Sequence, residues 1–160
     1  MIIRRLSVLL IGLLVAVAGC AAPARSEKMV AEVATPAPAT LRERVAVTDV
    51  TSSKNSEVES AKLRQAVEMS LQKAGYLNAN PAAATMLLAV ALISLERGDV
   101  GVETTSRIRY LLTSRASGAP LFNEVVVEEC SKYAFLASER LQISAECSVR
   151  NSIEASFRGF

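Results

Sequence analysis

Between residues 45 and 160 the hydrophobic and polar positions follow two different periods, and four short segments have the pattern of β-strands. Residues 45–51 are rich in β-branched side chains, and residues 85–95 form an apolar run typical of a strand buried on both faces. Residues 102–113 and 121–130 alternate, which predicts strands with two distinct faces. A buried helix is the alternative for residues 85–95, because Pro81 and an alanine run precede them.

Two further segments have the period of an amphipathic helix. Ser56 and Glu59 form a capping box that predicts the start of the first helix, and Gly75 predicts its end. The apolar stripe of this helix is Leu63, Val67 and Leu71. The last helix opens near Ser138. Its stripe is Leu141, Ala145, Val149, Ile153 and Phe157.

The order of these elements predicts the fold class. A helix between the first two strands indicates a crossover to a parallel neighbour, and the next three strands indicate an antiparallel meander. Each helix has a single apolar stripe, so both should cover the same face of the sheet. We predict an α+β fold, a two-layer sandwich of β-α-β-β-β-α order with a four-stranded, mostly antiparallel sheet and two helices on one face.

The alternation in the third and fourth strands predicts their register. If the numbers of paired residues add to 233, Ile108 lies opposite Val125, and Arg109 lies opposite Glu124 on the other face. A shift by one residue would exchange the faces of one strand.

The run at residues 86–95 is apolar on both faces, and the helices can bury only one of them. We therefore expect an apolar patch with charged side chains on the face that the helices leave open, and such patches are typical of binding surfaces. The alternative is self-association through the same face. The residues of this predicted binding face are Ala89, Ala91, Ile93, Arg107, Arg109, Leu111, Phe122 and Val126.

The N-terminus has the pattern of an export signal. Arg4 and Arg5 precede an apolar run at residues 6–18, and the run ends in Val-Ala-Gly-Cys at residues 17–20. This resembles the signals of bacterial lipoproteins, which implies cleavage between Gly19 and Cys20 and acylation of Cys20. A retained transmembrane anchor is the alternative, but the run is shorter than the about 20 residues that span a bilayer.

The chain divides into three predicted regions. Residues 1–19 are the lipoprotein signal peptide, and residues 20–44 are a Pro/Ala-rich tether that should be an extended spacer. Residues 45–160 are the α+β domain. In enteric lipoproteins a residue other than Asp after the acylated cysteine implies outer-membrane delivery, and this chain has Ala21 there.

Composition narrows the chemistry of the domain. Without Arg4 and Arg5 the chain has equal numbers of basic and acidic residues and no Lys/Arg cluster, which argues against nucleic acid and against a strong grip on anionic lipid. The chain has no histidine, which removes Ser-His-Asp sites and the usual zinc sites. We assign no catalytic residue, no metal site and no cofactor.

Cys130 and Cys147 are the two cysteines after Cys20. An even pair in an oxidising compartment suggests a disulfide. However, Cys147 falls outside the apolar stripe of the last helix, and Cys130 shares a strand face with Glu124 and Glu128. We therefore expect free thiols in preference to a disulfide, which remains the alternative.

The lipoprotein signal, the tether and the order of elements resemble a group of small bacterial envelope lipoproteins. The group includes the lipoprotein partner of the outer-membrane lipopolysaccharide translocon and the auxiliary lipoproteins of ABC-type lipid transporters. The resemblance lies in residues 71–76, 86–95, 108–112 and 139–153. It implies a lipid-anchored, periplasm-facing adaptor of the outer membrane, without enzymatic activity, that binds an envelope protein or itself. An envelope acyltransferase or hydrolase is the alternative.

The signal pattern predicts that Cys20 is the lipidated N-terminus of the mature protein. Mass spectrometry of the membrane fraction should show a chain that begins at an acylated Cys20. The Cys20→Ala variant should be lost from membranes, and its recovery there at the wild-type level would contradict the assignment.

Overall fold

The computed structural model describes residues 23–32, 36–54, 56–98 and 103–160. The predicted signal peptide, its cleavage site at Gly19 and Cys20, and residues 99–102 lie outside the described residues. Within the described ranges, no helix is both long enough and apolar enough to cross a membrane.

The observed elements confirm the predicted order. The strands are β1 (Val45–Ser52), β2 (Met86–Arg97), β3 (Glu103–Ser114) and β4 (Pro120–Ser131), and the helices are α1 (Ser60–Ala74) and α2 (Ala137–Ser156). The sheet order is β1-β2-β3-β4. β1 is parallel to β2, and the other two pairs are antiparallel. The protein is therefore an α+β sandwich with a four-stranded mixed sheet, and residues 85–95 do not form the alternative helix.

Both helices pack on one face of the sheet and enclose a single hydrophobic core. The helices contribute Leu63, Val67, Leu71, Val149 and Ile153, all of them buried. The sheet contributes Leu88, Val90, Leu92, Ile108, Tyr110 and Leu112. Each buried side chain of this size stabilises the fold by about 1.5–3 kcal/mol.

One polar contact crosses this core. The hydroxyl of Tyr110 lies 3.2 Å from the hydroxyl of Ser152, and both residues are buried. Burial raises the pKa of Tyr110 above its ordinary value, so its hydroxyl stays protonated. Ser152 is small enough for α2 to approach the sheet, and it satisfies the tyrosine hydroxyl.

The two ends of α1 differ in how well the sequence predicts them. Gly75 has a left-handed φ of 82°, and the N–H of Tyr76 donates to the carbonyl of Leu71, as predicted for a glycine C-cap. The predicted capping box is wrong, because α1 begins only after Glu59. The hydroxyl of Ser56 instead accepts a hydrogen bond from the N–H of Val58, which makes a local turn before the helix.

The predicted register of β3 and β4 is wrong by one residue. The numbers of paired residues add to 234, so that Ile108 lies opposite Val126, and Arg109 lies opposite Val125. Next to the hairpin turn, Thr113 pairs with Pro120, and the numbers of these two residues add to the predicted 233. An irregularity after Leu112 then shifts the pairing by one residue, and this exchanges the two faces of β4.

The preference for free thiols is also wrong, because Cys130 and Cys147 form a disulfide with their Cα atoms 5.8 Å apart. The register places Cys130 opposite the buried Thr104, on the face that the helices cover. The first half of α2 buries more than its apolar stripe, including Gln142 and Glu146, so Cys147 also turns inward.

Much of the predicted tether packs against the domain. Within residues 23–44, the buried residues are Ala24, Ser26, Met29, Ala31 and Ala37. The N–H of Ala31 donates to the hydroxyl of Ser70, and the N–H of Ala37 donates to the carbonyl of Ala74. Met29 and the small apolar side chains fill space beside α1, so these residues belong to the folded domain and are not a free spacer.

The disulfide should contribute measurably to stability. Its cysteines are 17 residues apart, and closing a loop of this length stabilises a fold by about 3 kcal/mol. Reduction should lower the free energy of unfolding by about that amount in urea titrations. A Cys130→Ser/Cys147→Ser variant is the control, since reductant should not change it. Identical wild-type titrations with and without reductant would refute the bond.

Candidate functional site

The sheet has one face that the helices do not cover, and we call it the open face. Rows of paired residues cross β2, β3 and β4 on this face, for example Ala91, Arg109 and Val125. The open face includes Leu87, Ala89, Ala91, Ser94, Thr105, Arg107, Arg109, Leu111, Asn123, Val125, Val127 and Glu129.

Large apolar side chains of β4 are exposed on the open face. Val125 is 38% exposed and Val127 is 50% exposed. Ala89 and Ala91 of β2 are partly buried on the other side of β3. Val125 and Val127 form a short apolar strip on β4, which is also an edge strand with unpaired backbone groups.

Two arginines of β3 lie beside this strip. Arg107 faces Val127, and Arg109 faces Val125, so the predicted pairing of Arg109 with Glu124 is not formed. Both guanidinium groups are exposed, and neither forms an ion pair with a carboxylate of the described residues.

Acidic side chains mark one end of the face. Glu129 lies opposite Thr105, and Glu103 lies on the same face two residues away. A hydrogen bond with Glu129 and its like charge raise the pKa of Glu103. The open face therefore combines an apolar strip, two unpaired cations and an acidic end.

Most of the predicted binding residues lie where the sequence predicts them. Ala89, Ala91, Arg107, Arg109 and Leu111 share the open face. Ile93 lies at a bulge of β2 and is exposed.

Phe122 and Val126 were predicted on the open face, but they pack against the helix side of the sheet. Phe122 contacts the ring of Phe160 edge-on. Sequence reasoning missed Val125 and Val127, because the two faces of β4 are almost equally apolar and only the bulge after Leu112 decides between them.

A small cavity lies at the end of the sheet beside these aromatic rings. Its volume is about 110 Å³, and its lining includes Tyr76, Leu112, Phe122 and Phe160. Pockets that enclose small-molecule ligands have volumes of about 300–1,000 Å³. This cavity is a packing gap within the aromatic cluster rather than a ligand pocket of ordinary size.

A buried carboxylate holds the N-terminal segment on α2. The side chain of Glu146 is 3% exposed and accepts three hydrogen bonds from Arg25. The backbone N–H of Arg25 donates at 2.8 Å, and its Nε and Nη2 atoms donate at 3.0 Å each. Gln142 donates from Nε2 to Glu146 and to the carbonyl of Pro23. These hydrogen bonds and the negative charge of Glu146 raise the pKa of Arg25. No sequence motif predicts this contact, which joins residues 121 positions apart.

Among the described residues, no three His, Cys, Asp or Glu side chains are grouped so that they could hold a metal ion.

Comparison with solved structures finds the same fold in several bacterial proteins. Protein XCC0632 from Xanthomonas campestris, of the DUF330 family, has a TM-score of 0.59 at 11% identity over 80% of this chain and 90% of its own. A PelC dodecamer from Paraburkholderia phytofirmans has a TM-score of 0.53 at 15% identity over 76% and 93% of the two chains. The hypothetical protein CT253 from Chlamydia trachomatis has a TM-score of 0.52 at 12% identity over 74% and 96%.

Comparison of the sequence alone finds no relative, since no protein-family model and no curated protein matches it. At these identities the structural likeness shows a shared fold. The resemblance to the lipopolysaccharide-translocon partner and to ABC-transporter lipoproteins stays a prediction.

Removal of the buried carboxylate should release the N-terminal segment. Glu146→Ala removes the acceptor of four hydrogen bonds, so we expect the free energy of unfolding to fall by about 2 kcal/mol. Hydrogen exchange of residues 23–31 should accelerate while β2 and β3 stay protected. Glu154→Ala, on the second half of the same helix and without an ion pair among the described residues, is the control. Unchanged exchange at the Arg25 amide would contradict this role of Glu146.

Proposed function

We propose that this chain is a lipid-anchored, periplasm-facing envelope lipoprotein, and that its domain is a non-enzymatic binding module that acts through the open face. The observation that carries the proposal is the exposure of Val125 and Val127 on an edge strand, beside two arginines without an ion pair among the described residues, on a sheet whose other face holds the hydrophobic core. An edge strand with exposed apolar side chains is a ready surface for pairing with another chain.

The disulfide supports an export route to the envelope. Disulfides persist in the periplasm and are rare in the cytosol, so the Cys130–Cys147 bond fits the signal pattern that ends at Cys20. Ala21 after the acylated cysteine supports delivery to the outer membrane, under the rule for enteric lipoproteins.

The chemistry of the open face suggests the kind of partner. Val125 and Val127 need an apolar surface, and Arg107 and Arg109 need carboxylates, preferably in a geometry that both guanidinium nitrogens can reach. We propose an envelope protein with an apolar surface bordered by acidic residues, within an outer-membrane or lipid-transport assembly. A second copy of this chain is the other candidate, because the similar PelC structure is a dodecamer.

Replacing two valines tests the open face without threatening the fold. Val125→Glu and Val127→Glu place carboxylates opposite Arg109 and Arg107, so new cross-strand ion pairs offset part of the lost β-propensity. The same change removes the apolar strip and neutralises both arginines. We expect a folded protein that loses its partner. Lys62→Glu, at an exposed position of α1, changes the net charge by the same amount and is the control.

Binding is measured with a photo-crosslinking residue at Asn123 in intact envelopes, and size is measured by light scattering. The wild type and the Lys62→Glu control should give the same crosslinked partner, and the double variant should not. Crosslinks only between copies of this chain would favour self-association. A folded double variant that keeps its crosslinks and complements a deletion strain would show that the open face is not the working surface.

A further inference from the structure

A second charged surface lies beside the N-terminal segment, where the end of β4 meets α2. Arg25, Lys28, Lys132 and Arg150 line a cleft of about 240 Å³ together with Glu146. We call it the basic cleft. Its four cations come from three separate parts of the sequence.

The fold holds these parts together with two strong restraints. The disulfide fixes the end of β4 to α2, so that Lys132, two residues after Cys130, and Arg150, three residues after Cys147, lie on one cleft. The contact between Glu146 and Arg25 brings the N-terminal segment, and with it Lys28, to the same place. The basic cleft is therefore positioned by a covalent bond and by an ion pair whose carboxylate is buried.

The charges of the basic cleft are not balanced. Glu146 compensates Arg25, and Glu27 and Glu139 are close enough to raise the pKa of Arg25 further. No carboxylate of the described residues lies within ion-pair distance of Lys28, Lys132 or Arg150. Arg150 donates only a weak hydrogen bond to the Sγ of Cys147 at 3.6 Å. Three cations are thus available to an anionic ligand.

The position of the basic cleft along the chain indicates which ligand is near. Arg25 is five residues after Cys20. A fully extended chain spans at most about 3.6 Å per residue, so the Cα atoms of these two residues are at most about 18 Å apart in any conformation. If Cys20 carries the lipid, the basic cleft is held close to the headgroups of the membrane.

We propose that the basic cleft docks on the phosphate groups of anionic lipids in the membrane that holds Cys20. This inference rests on the proposed lipid anchor. A single lipid anchor lets a domain swivel, whereas an anchor combined with a basic surface attaches it at two points. Docking would give the domain a defined orientation, with α2 and the N-terminal segment toward the membrane.

Lysine labelling on vesicles tests the docking. The mature acylated chain is reconstituted into phosphatidylcholine vesicles with or without an equal part of phosphatidylglycerol, and treated with a membrane-impermeant amine acetylating reagent. Each Lys or Arg near an anionic membrane surface increases the membrane binding constant about five-fold. Labelling of Lys28 and Lys132 should therefore slow by at least about ten-fold with phosphatidylglycerol. Lys54 and Lys62, outside the basic cleft, are internal controls.

Variants and salt identify the cause of protection. Arg150→Gln should weaken the protection of both lysines about five-fold, while Arg158→Gln, just after the same helix, should leave it unchanged. Protection should disappear at about 1 M salt, where the screening length is about 3 Å. Equal labelling on both kinds of vesicle would overturn the proposal.

Inorganic phosphate with phosphatidylcholine vesicles separates the two sources of phosphate. Protection as strong as that from phosphatidylglycerol would mean that the basic cleft binds a free ion, and it would overturn membrane docking. Mass spectrometry of the same samples separates this inference from its premise. An acylated chain with unprotected lysines would refute docking alone, and a chain without acyl groups would refute the anchor as well.

Discussion

A single buried carboxylate, Glu146, holds the N-terminal segment of the described residues on α2. An ionised carboxylate in a protein interior is destabilising unless it is paired and hydrogen-bonded. Glu146 is satisfied only when Arg25 presents its backbone N–H and its guanidinium group together, and this requires the N-terminal segment to lie along α2. Residues 23–31 then cover the first half of the helix and fill the space beside α1.

The second constraint is the number of helices. Two helices with one apolar stripe each bury one face of a four-stranded sheet and no more, and the single core shows that they do so. The other face must be solvated or covered by a partner. β4 adds an exposed edge with apolar side chains to that face, which is why the open face is the proposed binding surface.

These two constraints place the basic cleft and the open face on different layers of the molecule. The N-terminal segment and the disulfide gather cations on the side of α2, near the proposed lipid anchor. The open face lies on the opposite layer of the sandwich, away from α2. In the proposed arrangement, one layer meets the membrane and the other layer remains accessible to an envelope protein.

Periodicity along the sequence determined the elements, their order and the fold class, because the apolar residues of each helix and strand repeat with the period of that element. It also determined the C-cap at Gly75, where a left-handed residue is needed, and five residues of the open face. Only the tertiary structure decided the register of β4, since a bulge adds one residue to a strand whose two faces are similarly apolar. That shift placed Cys130 opposite Thr104, within reach of Cys147.

The basic cleft is a feature that only the tertiary structure decided. Without Arg4 and Arg5 the chain has balanced charge and no Lys/Arg cluster, which argues against a strong grip on anionic lipid. Charge density in space, however, depends on which segments the fold brings together. Arg25, Lys28, Lys132 and Arg150 become neighbours through an ion pair with the buried Glu146 and through a disulfide. Both contacts join distant positions, and neither leaves a periodic pattern in the sequence.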